Sequence, residues 1–261
     1  MFLQKANPHH DRRGRFTTGP SGGARAAASA ATPYGGAYSP AKFSVLREDG
    51  TLDINACVVL HSQLDANTHN LPYNSGQDKR LIEGRQVQGF NGKPHIISNK
   101  DLESLPGETY HRGDEEPNFS EAIRSEKLYG GMGVRGNGTY SSTSFSEARS
   151  FAGEKGGMIS FKLHPDAKVI GVTGKESISR RKLDDLRADI SRKIQTAERN
   201  GDFSWDQSAS LQSHFMDNGR LATALGYDAI VVGEWTSHLV VLNRTAMVVS
   251  DKNVTDWQNA L

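Results

Sequence analysis

Apolar residues in this chain fall in short runs separated by long polar stretches, and the runs follow two periods. The strand-like runs are clearest in the second half: "GMISFKL" and "AKVIGV" joined around Pro165, then "YDAIVV" (227–232), "HLVVLN" (238–243) and "AMVVS" (246–250). Each is short, rich in β-branched residues and bounded by turn formers, so each predicts a strand. "TYSSTS" (139–144) is β-prone, "ETYHRG" reads as a short strand leaving into a loop, "PHIIS" (94–98) is short and apolar, and "ACVVLH" (56–61) predicts a strand or a buried segment. Helical spacing marks residues 177–200, which end at Asn200-Gly201, and then 204–219 and "NGRLATALG". Two other segments carry start signals: in "NFSEAIRSEKLYGG" Asn118 stands as N-cap with Glu121 three residues on, and in "SFSEARSFAG" Ser144 stands as N-cap with Glu147 at N3. "NKDLESL" predicts one or two turns capped by Asn99, and residues 62–90 are polar and ambiguous, with one candidate helix in "DKRLIEGRQV". Strands and helices mix without regular alternation, which favours an α+β fold over a doubly wound sheet.

Composition separates the ends of the chain. Residues 1–45 are built mainly from Gly, Ala, Ser, Thr and Pro and carry six Lys/Arg against the single Asp11, whereas the remainder holds more acids than bases. That predicts a disordered basic N-terminal arm (1–45) before one folded domain (46–261). The mildly acidic body argues against a specific nucleic-acid surface. No apolar run approaches the length of a membrane span, "MFLQKANPHHDRRGRF" lacks the apolar stretch of a secretory signal, and Phe2 after Met1 excludes myristoylation. The lone Cys57 rules out a disulfide framework or a cysteine zinc site, and "ACVVL" suits a small buried thiol. His9, His10 and Asp11 could ligate a metal, but adjacent ligands on a flexible arm do not make a site, so no metal is expected.

Several familiar chemistries are missing. "GVRGNG" lacks the Lys-Ser/Thr of a phosphate-binding loop, and the glycines at 131–138 lead into a strand rather than a helix, the reverse of a dinucleotide fingerprint. There is no HExxH, and the nearest approach to a nucleophile elbow, "GPSGG", sits in the arm. What remains is an ordered set: Arg112 after a strand and before Gly113; a Gly-rich loop leading into Tyr140, Ser141, Ser142, Thr143 and Ser144; and a turn carrying Glu234, Trp235 and His238 between two late strands. An arginine fork suits phosphate oxygens, an aromatic face suits a heteroaromatic ring, hydroxyls suit ribose, and a carboxylate stabilises a cationic ribose in a transition state.

"YHRG", "GNGTYSSTSFSEARSFAG" and "GYDAIVV…HLVVLNRTAMVV" together resemble the three signature regions of ADP-ribosyltransferases of the Arg, Ser-Thr-Ser, Glu type, over roughly residues 88–250. The closest likeness is to domains of phage head-associated proteins. The resemblance implies two small packed β-sheets with flanking helices and a cleft for NAD, which is the substrate. It implies Arg112, Gly113, Tyr140, Ser142, Thr143 and Ser144 around NAD, and Arg112, Ser142, Glu234 and His238 as catalytic candidates. The implied activity is NAD-dependent mono-ADP-ribosylation of a host protein, by a chain carried in a virion or delivered into a host cytoplasm. The third region departs from the pattern: where the family places a Glu at the head of the penultimate strand, this chain has His238, with Glu234 four residues upstream. That departure leaves a second reading, a degenerate binding or structural protein of a phage head or a secreted effector, with little or no transferase activity.

Overall fold

The computed structural model describes residues 38–68, 87–90, 92–115, 119–125, 138–154, 156–171, 178–232 and 238–253. In chain order its elements are α1 (Ile54–Thr68), β1 (His95–Ile97), α2 (Asn99–Ser104), β2 (Tyr110–Asp114), α3 (Phe119–Arg124), β3 (Thr139–Ser142), α4 (Phe145–Ala152), β4 (Gly157–Leu163), β5 (Val169–Gly171), α5 (Ile178–Asn200), α6 (Trp205–His214), α7 (Asn218–Ala224), β6 (Ala229–Val232), β7 (His238–Val241), a 3₁₀ turn (Arg244–Ala246) and β8 (Met247–Ser250). This is an α+β fold with one mixed sheet in the order β1-β8-β4-β2-β3-β7-β6-β5. Neighbours are antiparallel except at the two edges, where β1 runs parallel to β8 and β5 parallel to β6.

The expected pair of small sheets is therefore a single sheet, but a flat one is ruled out by chain length. β4 and β5 stand five places apart, about 24 Å in a flat sheet. Only residues 164–168 join them, a reach of about 20 Å at full extension, and that link is turned, with Ala167 N–H donating to the His164 carbonyl. The sheet must fold across its middle. The fold line is between β2 and β3, which share a single residue pair, His111 with Ser142. Across this seam the inner faces meet: Ala229, Leu239 and Val241 join Ile159, Phe161, Met247 and Val249 in one core, with Phe119 and Ile123 of α3.

Helices cover the outer faces. Leu183, Ile190, Ile194 and Ala197 form the buried stripe of α5 and pack with Leu60, Leu211, Ile230 and Val240. On the other half α4 lays Ala148 and Ala152 against Met158 of β4. The buried Arg244 donates to the carbonyls of Ala122, Ile123 and Ser125, closing the C-terminal end of α3.

Several sequence expectations change. "ACVVLH" lies in helix α1: Asp53 accepts from Ala56 N–H, and burial of Ala56, Cys57 and Leu60 beside exposed Val58 and Val59 follows the helical period. An apolar run of that length does not by itself separate a strand from a buried helix. The cap of α2 is Ser98, whose Oγ accepts from Asp101 N–H at 3.1 Å, rather than Asn99. Residues 38–45, assigned to the arm, pack on the domain. Val45 is fully buried, and Tyr38 Oη donates to the buried Asp228 carboxylate at 2.8 Å, which also accepts from Asn243 Nδ2 and Lys168 N–H. Burial pushes the Asp228 carboxyl up. The rest of the arm (1–37), Asn118, and "DKRLIEGRQV" apart from Val87 lie outside the described residues.

His214, buried at the end of α6, gives a stability prediction. Burial, and secondarily Arg220, pushes its imidazole down to about 3. The unfolded chain takes up that proton near the ordinary value of about 6.5, so the stability this residue contributes is present above that pH and is lost as the pH falls toward the folded value. Urea midpoints should drop from about pH 7 to pH 5, and less steeply in His214→Leu. An identical slope in both proteins removes His214 from the acid response.

Candidate functional site

The register across the seam puts polar residues abreast. Ser160 of β4 pairs with His111 of β2, His111 with Ser142 of β3, and Ser142 with His238 of β7. Directly opposed residues share a face, so Ser160, His111, Ser142 and His238 form one row on the outer side of the sheet, beneath the start of α4.

Hydrogen bonds tie the row to that helix. His111 Nδ1 and Ser160 Oγ are 2.8 Å apart, and the His111 ring meets Phe145 edge-on at 5.4 Å. Burial pushes the His111 imidazole down, favouring its neutral form. Ser142 Oγ donates to Glu147 Oε2 at 2.7 Å and accepts from Ser144 N–H at 3.0 Å. His238 Nε2 lies 2.6 Å from Glu147 Oε1. A carboxylate only accepts, so Nε2 carries the proton there.

Local structure explains how Glu147 reaches the sheet. Ser144 caps α4 as expected, its Oγ accepting from Glu147 N–H at 3.3 Å. In a reciprocal capping box the N3 side chain would return to the cap's own N–H. Here Ser142 Oγ accepts from that N–H, and the Glu147 carboxylate turns to Ser142 and His238 instead. Ser142 is buried, whereas the Glu147 and His238 side chains are partly exposed, at 32% and 38%. The acid stands between the other two groups. Among the described residues the Ser142 and His238 side chains each bond to Glu147 rather than to one another, which differs from a nucleophile–base–acid triad.

Arg112 is elsewhere. Side chains alternate along a strand, so with His111 in the row Arg112 faces the inner side, its guanidinium carbon 5.8 Å from the Phe119 ring centre. Its Nη2 pairs with Asp114 Oδ2 at 2.9 Å and its Nη1 donates to the Tyr140 carbonyl at 3.0 Å. Had the β2–β3 ladder run on past its single pair, Gly113 would stand opposite Tyr140; the arginine fork bridges the splayed strands there instead. The expectation that Arg112 shares a cleft with Ser142 is not met, because neighbouring residues of β2 point to opposite faces.

The other candidates divide in the same way. Gly113 meets α4 rather than open space: a Cβ there would lie 2.0 Å from the Ala148 carbonyl oxygen. Tyr140 is on the Ser142 face, half-buried against the helical core, and Thr143 is half-buried in the bend before α4. His238 heads β7, the penultimate strand, and pairs with Ser142 of β3. Glu234 and the Gly-rich stretch 131–137 lie outside the described residues. Sequence reasoning gave Glu147 a capping role only and gave His111 and Ser160 none in the site. Among the described residues there is no group of three or more His, Cys, Asp or Glu placed to hold a metal, and no helix long and apolar enough to cross a membrane. A cavity of about 520 Å³ between residues 51–54 and the end of α5 is lined by neither the row nor Arg112. No family model, curated protein or solved structure matches the chain.

Proposed function

We propose that the chain is an NAD-dependent mono-ADP-ribosyltransferase that modifies a host protein. In that reaction the bond between nicotinamide N1 and ribose C1′ breaks, and its electron pair leaves with neutral nicotinamide. A nucleophile of the acceptor protein bonds to C1′ from the opposite face and gives up a proton. The observation that carries the reading is the row at the seam. The strands bearing the three motif regions, β2, β3 and β7, are consecutive neighbours in the sheet although far apart in sequence, and their His111, Ser142 and His238 stand abreast. A row of hydroxyl and imidazole groups against the carboxylate of a partly exposed Glu147 suits a ribose bearing developing positive charge.

One observation favours the second reading, a binder without turnover: Arg112, the expected phosphate anchor, is already paired with Asp114. NAD labelled in its adenylate half separates the two. The transferase reading expects nicotinamide release and a labelled protein band from a host lysate, with release slowed roughly tenfold or more in Ser142→Ala. NAD binding without nicotinamide release supports the binder, and neither binding nor release removes both.

A further inference from the structure

We infer that Glu147 is the carboxylate of this site, the group that faces the positive charge building on ribose C1′ as nicotinamide leaves; the inference rests on the transferase reading above. The head of β7, where the resemblance calls for a glutamate, is His238, and the atom next to its imidazole is Glu147 Oε1 at 2.6 Å. The negative charge lies one hydrogen bond beyond the expected position, supplied from α4 across the seam rather than from the strand itself.

The carboxylate is held as an electrostatic group should be. Ser144 N–H donates to Ser142 Oγ, which donates to Oε2, while His238 donates to Oε1. Both oxygens are therefore oriented before any ligand arrives, so no reorganisation is needed as charge develops. The helix that carries Glu147 is itself fixed. A Cβ on Gly113 would meet the Ala148 carbonyl oxygen, and one on Gly156 would meet the carbonyl oxygens of Ala152 and Asp114, all at about 2 Å. α4 thus sits directly against the β2 backbone, and its exit toward β4 is closely packed too. Asp114, which is also near the seam, is turned to the inner face and paired with Arg112. His238 acts as a positioning residue, aiming the Glu147 carboxylate through its hydrogen bond to Oε1.

In the absence of an acceptor protein, water takes the nucleophile's place, and NAD yields nicotinamide, ADP-ribose and a proton, which makes nicotinamide release a direct readout. Release should be measured for the full chain, Glu147→Gln and Glu234→Gln, with NAD binding by calorimetry and circular dichroism on each. The expected result is a fall in kcat on the order of a hundredfold in Glu147→Gln, with KM, NAD affinity and helix content little changed, and a rate within a few-fold of the parent in Glu234→Gln. His238→Asn should fall between them. Undiminished kcat in Glu147→Gln overturns the inference while leaving the transferase reading in place, and an equal fall in both glutamine variants overturns the assignment to Glu147 over Glu234. A parent chain that neither binds NAD nor releases nicotinamide overturns both readings.

Discussion

Gly113→Ala is expected to destabilise the protein by roughly 3–5 kcal/mol, enough to unfold a marginal domain at room temperature. The added methyl would sit 2.0 Å from the Ala148 carbonyl oxygen, 2.9 Å from Ala152 N and 3.0 Å from Ala152 Cβ. None of these belongs to a flexible side chain that can swing aside, so α4 must lift off β2 by more than 1 Å to restore ordinary contact. Lifting α4 also draws Glu147 away from Ser142 and His238, so whatever folded protein remains should lose the Glu147 contacts. The check is a urea titration beside the parent. If Gly113 instead served close approach to a ligand, as the family resemblance implies, Gly113→Ala would keep the parent's midpoint and lose only NAD affinity.

What could be read from the sequence was local. The Ser144 cap, the stop at Gly201 with its positive φ of 84°, and the strands β4 to β8 follow from residues within a few positions of one another. α1 was opaque because five apolar residues in succession carry no period. The folding of the sheet was opaque because it depends on which strands pair, and the short link from β4 to β5 reveals it only once the strand order is known. Glu147 shows the same limit at the site. Its capping position accounts for the residue fully within α4, so nothing local asks for a second partner, and only the β3–β7 pairing brings Ser142 and His238 beneath it. The separation of Arg112 from the row has a simple cause in hindsight. Adjacent residues of a strand cannot share a face, so a register that seats His111 beside Ser142 must turn Arg112 inward.

That inward turn makes Arg112 a brace of the seam, with a consequence opposite to that of a phosphate anchor. Arg112→Met is expected to cost roughly 2–4 kcal/mol: Asp114, only 17% exposed, loses its guanidinium, and the Tyr140 carbonyl loses a donor at the one place where β2 and β3 part. Changing Asp114 as well removes the unbalanced charge, so Arg112→Met with Asp114→Asn should recover a good part of the lost stability, because a buried pair is costly to break and much less costly to delete. The double variant then isolates the functional question from the structural one. With the seam re-stabilised, NAD affinity and nicotinamide release should return close to the parent's, since Ser142, Glu147 and His238 occupy the other face. Recovered stability with NAD affinity still more than tenfold down would put Arg112 on the NAD phosphates after all. The arginine would then have to leave Asp114 to bind, and the ion pair now bracing the seam would be the contact that NAD displaces.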